Sequence, residues 1–126
     1  RMTETYLFSV HVETAYLADQ SSVEDERYVF SYTVTITNTG SVAAQLISRH
    51  WLITDADNQV NEVKGLGVIG EQPLLEPNEH FTYTSGTALN TAVGKMHGRY
   101  HIVAIDGTVF EAEIPSFTLA APRVLH

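Results

Sequence analysis

The sequence predicts an all-β domain, a sandwich of about seven or eight antiparallel strands. Three observations carry that expectation. Segments rich in β-branched and aromatic residues recur roughly every 8 to 15 residues, with turn-forming residues between them. No window shows the 3.6-residue apolar period of an amphipathic helix. The stretch from Tyr28 to Asn38 alternates cleanly: Tyr28, Phe30, Tyr32, Val34 and Ile36 fall on one face, and Val29, Ser31, Thr33, Thr35 and Thr37 on the other.

Taken in order, Tyr6 to Tyr16 is β-branched and aromatic enough for a first strand. Leu17 to Arg27 is polar, and its Glu24-Asp25-Glu26 triplet reads as a solvated loop rather than a metal site. Tyr28 to Asn38 follows, and Asn38-Thr39-Gly40 ends it, because Asn and Gly tolerate the positive φ of a turn. Ala44 to Thr54 places Ile47, Arg49, Trp51 and Ile53 on one face and Leu46, Ser48, His50 and Leu52 on the other. Both faces are partly apolar, so this strand is expected in the middle of a sheet with Trp51 as a core anchor. Asp55 and Asp57 favour the turn into a short strand, Val60 to Lys64. After a glycine-rich loop comes His80 to Thr87. Gly94 to Ala104 carries Met96, Gly98, Tyr100 and Ile102 on one face and His97, Arg99, His101 and Val103 on the other. Asp106-Gly107 is a hairpin signal joining it to Val109 to Ile114. Pro115 suggests an edge, a bulge or a strand end, and Phe117 to Leu119 continues in extended form.

With 126 residues, 44% of them apolar, the chain has the material for one domain over residues 1 to 126 and a core that needs no staple. Arg1 before Met2 reads as a remnant of cloning, and residues 120 to 126 as a loosely held tail. There is no cysteine, which excludes disulfides and thiolate metal sites. No apolar run is long enough to span a membrane and no basic-then-apolar leader opens the chain, so a cytoplasmic protein without a membrane partner is expected. Fifteen acidic residues against seven basic ones leave a formal charge of −8, which weighs against nucleic acid as a partner.

The sharpest chemical suggestion is Gly65, Gly67 and Gly70, a G-x-G-x-x-G array of the kind that lets a backbone approach a pyrophosphate. A dinucleotide site needs such an array to open a helix, and Pro73 and Pro77 exclude one here. The glycines are therefore expected to shape a tight inter-strand loop. A backbone nest for an anion, with Lys64 and Arg99 as counter-charges, is the alternative. His97 and His101, four apart on a strand, lie roughly 13 Å apart and cannot share an ion. With Arg99 they form an exposed polar row. No metal site, cofactor or catalytic constellation can be nominated: Ser85 sits in Thr-Ser-Gly rather than a nucleophile elbow, and the expectation is a protein that is not an enzyme.

Several stretches occur together in a familiar order. They are Ser48-Arg49-His50-Trp51, Gly65 to Pro73, Pro77 to Gly86, Gly94 to Tyr100 and Phe110 to Phe117. From about Tyr6 to Leu119 the chain resembles the bacterial ApaG family, departing at Asn78, where the family commonly has glycine. The resemblance implies an immunoglobulin-like, fibronectin type III-like β-sandwich and a cytoplasmic bacterial protein, linked genetically to cobalt tolerance and magnesium efflux. Related domains in eukaryotic F-box proteins and a DNA polymerase-interacting protein look like protein-recognition modules. The resemblance brings no catalytic residues, and only Gly65, Gly67 and Gly70 could carry its pyrophosphate hypothesis. The expected function is a non-enzymatic binding module with a protein partner. The alternatives are a sensor of phosphate, pyrophosphate or diadenosine polyphosphate, and a weak divalent-cation binder.

Overall fold

The computed structural model describes residues 3 to 123, so Arg1 and the last three residues of the expected tail lie outside them. Eight strands follow in chain order: β1 (Phe8–Tyr16), β2 (Tyr28–Asn38), β3 (Ala44–Asp55), β4 (Val60–Leu66), β5 (Leu74–Leu75), β6 (His80–Leu89), β7 (Val93–Ala104) and β8 (Val109–Ala120). They form two antiparallel sheets. One is ordered β1-β2-β6; the other is ordered β4-β3-β7-β8, with the two-residue β5 also pairing β3. This is the eight-stranded sandwich that the strand periodicity implied. Among the described residues no helix is long and apolar enough to cross a membrane.

The period of two in β2 is realised residue by residue, with Phe30, Tyr32, Val34 and Ile36 buried. They pack against Leu46, Trp51, Met96, Tyr100, Ile102 and Ile114 of the second sheet. Trp51 is the anchor expected: it is 2% exposed and touches Tyr32, Tyr100 and Phe117, with ring centroids 5.3, 6.3 and 5.9 Å away. Edge-to-face aromatic packing of this kind adds to the area buried.

Two bulges correct the reading of faces. The register of β3 on β7 shifts between Leu46 and Ser48, so the extra residue, Ile47, breaks the alternation. Leu46 therefore joins Trp51 and Ile53 inside, while Ser48 and His50 turn outward. A strict alternation had put Leu46 on the opposite face from Trp51. The second bulge lies where β8 shifts against β7, Met96 facing Phe117 and Gly98 facing Ile114. Pro115 sits in that irregularity on an edge strand, where its missing N–H costs no ladder bond. β8 thus runs unbroken through the proline to Ala120, and Ala121 is still held by donating its N–H to Ala92 O at 2.8 Å.

The turn after β2 also differs in mechanism from its expectation. Neither Asn38 nor Gly40 has a positive φ. The buried Asn38 side chain organises the turn instead, accepting from the Gly40 amide at 2.9 Å and donating to the carbonyls of Val42 and Leu75, both at 2.9 Å. The acidic loop before β2 holds one 3-10 turn, Ala18–Gln20, and closes through a bridge between Ser22 and Arg27.

Candidate functional site

The outward row of β7 and the outward residues of β3 meet on the face of the second sheet that points away from the core. Cross-strand register sets the neighbours. Lys64, His50, Arg99 and Glu113 stand in one row across β4, β3, β7 and β8, and Leu66, Ser48, His101 and Glu111 in the next. The bulge at Ile47 makes this possible by turning Ser48 and His50 outward together. Between the rows lies a concavity of about 810 Å³ whose polar side chains are His50, Lys64, Arg99, His101 and Glu111; Arg49 borders it through its backbone, its guanidinium lying on the other side of the sheet.

These side chains are linked. His50 Nε2 is 2.8 Å from Glu62 Oε2, and Lys64 Nζ is 3.9 Å from the other oxygen of Glu62. Arg99 Nη2 approaches His50 Nδ1 at 3.5 Å, and its Nε lies 3.6 Å from Glu111 Oε2. His101 Nδ1 is 3.0 Å from the same Glu111 oxygen. A guanidinium can only donate, so His50 Nδ1 accepts and Nε2–H donates to Glu62. The hydrogen bond from His50 and the charge of Lys64 hold the Glu62 carboxyl below the usual carboxylate range.

The lining has two cationic side chains, Lys64 and Arg99, against one carboxylate, Glu111, with Glu62 beside Lys64 and His50, on a chain whose net charge is −8. Two of the seven lysines and arginines stand at this one place. Ser48 lies beside His101, but its hydroxyl makes no hydrogen bond to that ring or to Glu111, so no nucleophile and base are paired. Among the described residues no three His, Asp or Glu side chains cluster as a metal set.

The residues singled out from the sequence separate here. Lys64, Gly65, Arg99 and His101 line the concavity; Gly67, Gly70 and His97 do not. His97 is in the outward row but faces Leu52 one row further along. Each glycine serves the loop itself. A Cβ on Gly65 would come within 2.7 Å of the Arg49 guanidinium, which lies across the backbone there and donates to the carbonyls of Leu66 at 3.1 Å and Gly67 at 2.9 Å. Gly67 has φ +63° and packs on the Glu71 carbonyl. Ile69 and Gly70, with φ +43° and +79°, are the central pair of a tight turn closed by reciprocal bonds between Val68 and Glu71. The Gly67 amide donates to Ile47 O and the Val68 amide to Glu71 O, both at 2.8 Å. In place of an outward nest of amides, the loop turns two carbonyls toward an arginine and drives Val68 fully into the core.

Ser48, Arg49, His50, Glu62 and Glu111 entered no expected site. Alternation along β3 would have turned His50 outward, but its neighbours come from strands far apart in the chain, and register is not written in local sequence.

Residues 18–104 match the family model described as the ApaG domain. Protein ApaG of Methylobacillus flagellatus is 68% identical over 121 residues, covering 96% of this chain and 95% of the relative. Protein ApaG of Thiobacillus denitrificans is 66% identical with the same coverage. Among solved structures, the crystal structure of the ApaA protein from Bordetella pertussis superposes with a TM-score of 0.92 at 52% identity, covering 98% of this chain and all of that one.

Proposed function

The chain belongs to the ApaG domain family, and on that footing we propose that it is a non-enzymatic binding module. Its protein partner presents an acidic group to the concave outer face of the β4-β3-β7-β8 sheet. The observation that carries this reading is the convergence of Lys64 and Arg99, with His50 and His101, in one concavity of an otherwise acidic chain. Long-range charge steers an acidic segment toward such a cationic convergence. The side chains that would receive it stand in water: Lys64 is 66% exposed, and Arg99 and His101 are 41% exposed each. An open, wetted face suits contact with a partner's surface better than the near-complete enclosure small ligands usually receive.

A second reading, binding of a phosphate-containing small molecule, is favoured by the same convergence of Lys64 and Arg99, now without the amides of Gly67 and Val68. Direct binding of a divalent cation has less to stand on, because Glu62 and Glu111 are each already held between two nitrogen-bearing side chains.

Amide and side-chain NMR shifts distinguish the readings. A glutamate-rich peptide is expected to perturb Lys64, Arg99 and His101, and Arg99→Glu to abolish the effect. Perturbation by pyrophosphate or diadenosine tetraphosphate alone would replace the first reading by the second. Silence with all of them would end both.

A further inference from the structure

The edge strand β4 has an arrangement of backbone groups, charges and apolar side chains that matches itself. It ends its sheet, so among the described residues no strand lies beside one side of its backbone. Bonds at its two ends show which residues face that open side. Asp55 N donates to Gln59 O, and Gly67 N donates to Ile47 O, so odd-numbered residues turn their backbone polar groups toward β3. In a regular strand successive residues alternate, and Val60, Glu62, Lys64 and Leu66 therefore turn theirs outward to the open edge. The Leu66 carbonyl also takes a bond from Arg49; the amides of all four residues have no partner strand.

Apart from its two charged residues, this edge lacks the features that block pairing. Val60 is 57% exposed and Leu66 75%, and neither a proline nor a bulge interrupts β4. Its two charged residues are of opposite sign and two apart, Glu62 and Lys64.

We propose that β4 is a self-association edge, pairing antiparallel with β4 of a second copy of this chain about a two-fold axis at Val63. In that register Glu62 stands opposite the second copy's Lys64, and Lys64 opposite its Glu62. Val60 meets Leu66 at each end, and Val63 meets Val63 at the centre. The outward-facing residues fall opposite one another, so their amides and carbonyls exchange hydrogen bonds. The two large sheets become one continuous sheet across the axis, an isologous contact.

Competing registers are disfavoured by the same residues. A slip of one residue sets outward-facing groups against inward-facing ones, and the ladder cannot form. A slip of two sets Glu62 against Glu62 in one direction and Lys64 against Lys64 in the other, and like charges directly opposite destabilise a pair. The single register that pairs opposite charges also pairs the apolar ends. This edge pairing does not depend on the concavity having a ligand.

Sedimentation equilibrium over a wide concentration range tests the proposal. Wild type is expected to show a monomer–dimer equilibrium. Lys64→Glu, which sets carboxylates opposite one another, is expected to raise the dimer dissociation constant by about tenfold or more. The double reversal Glu62→Lys with Lys64→Glu restores opposite pairing and is expected to restore the dimer, with circular dichroism showing each variant folded. Wild type that stays monomeric at millimolar concentration would overturn the proposal. So would a dimer indifferent to Lys64→Glu, or a double reversal that remains as dissociated as the single variant.

Discussion

The hydroxyls of Tyr83 on β6 and Tyr100 on β7 meet at 2.5 Å in the core, one tyrosine from each sheet. They are 4% and 0% exposed, so each hydroxyl relies on the other for its buried hydrogen bond. The pair ties the two layers together beside Trp51, whose Nε1–H has no acceptor among the described residues.

Removing one hydroxyl should cost more than removing both. Tyr100→Phe leaves the Tyr83 hydroxyl buried without a partner and is expected to destabilise the fold by about 1 to 3 kcal/mol in urea unfolding. The double change of Tyr83 and Tyr100 to Phe removes both polar groups while keeping both rings. It is expected to recover most of that loss, and a double-mutant cycle measures the coupling.

The same pair makes stability fall at alkaline pH. Burial pushes the Tyr83 hydroxyl up to about 12 from an ordinary value of 10.0, and Tyr100 is raised as well, again chiefly by burial. A folded-state value above the unfolded one gives stability that is complete below the unfolded value. That stability is lost as pH rises through the folded value. Unfolding free energy is therefore expected to decline from about pH 10 to 12, by about 3 kcal/mol from Tyr83 alone. The double phenylalanine variant should be nearly flat over that window apart from the remaining exposed groups.

Asn38 is expected to be the most sensitive polar position in the chain. At 1% exposed it satisfies two carbonyls and one amide in the turn between the sheets. Asn38→Ala should cost about 2 to 4 kcal/mol, because the Leu75 carbonyl is left without that donor in the interior. Asn38→Asp sets an oxygen against two carbonyl oxygens and should be at least as damaging at neutral pH. Thermal unfolding of the two variants checks both.

Alanine at two glycines separates rigid from yielding neighbours. On β7, a Cβ at Gly98 would overlap the His50 carbonyl, which is part of the β3 backbone. Gly98→Ala should cost about 3 kcal/mol, at or beyond the usual range for overpacking, and disturb the His50–Arg99 row above it. At Gly65 the obstacle is the far end of the Arg49 side chain, 2.7 Å away, which can swing aside. Gly65→Ala should cost about 1 kcal/mol or less. Denaturant midpoints give the order.

Most of the fold was legible because its signals are local. The alternation from Tyr28 to Ile36 marks β2 without reference to any other strand, and Asp106-Gly107 marks the last hairpin through its turn chemistry. Where non-local contacts decide, local reading failed in identifiable ways. At Ile47, an extra residue relative to β7 put Leu46 inside, and only the pairing partner reveals an extra residue. At Asn38, a side chain reached Leu75, 37 positions away, and did the work assigned to backbone φ. In the site, Lys64, Gly65, Arg99 and His101 were identified individually, while Glu62 and Glu111, which hold the two histidines, were not.

By itself the sequence determined the all-β class, every strand but the two-residue β5 (Leu74–Leu75), and the membership signature, since these rest on composition, period and short-range turn preferences. The tertiary structure alone decided what Gly65 to Gly70 do. A glycine array has the same appearance whether its amides converge on an anion or its carbonyls accept from Arg49. That outcome depends on a side chain brought across from β3 by sheet register.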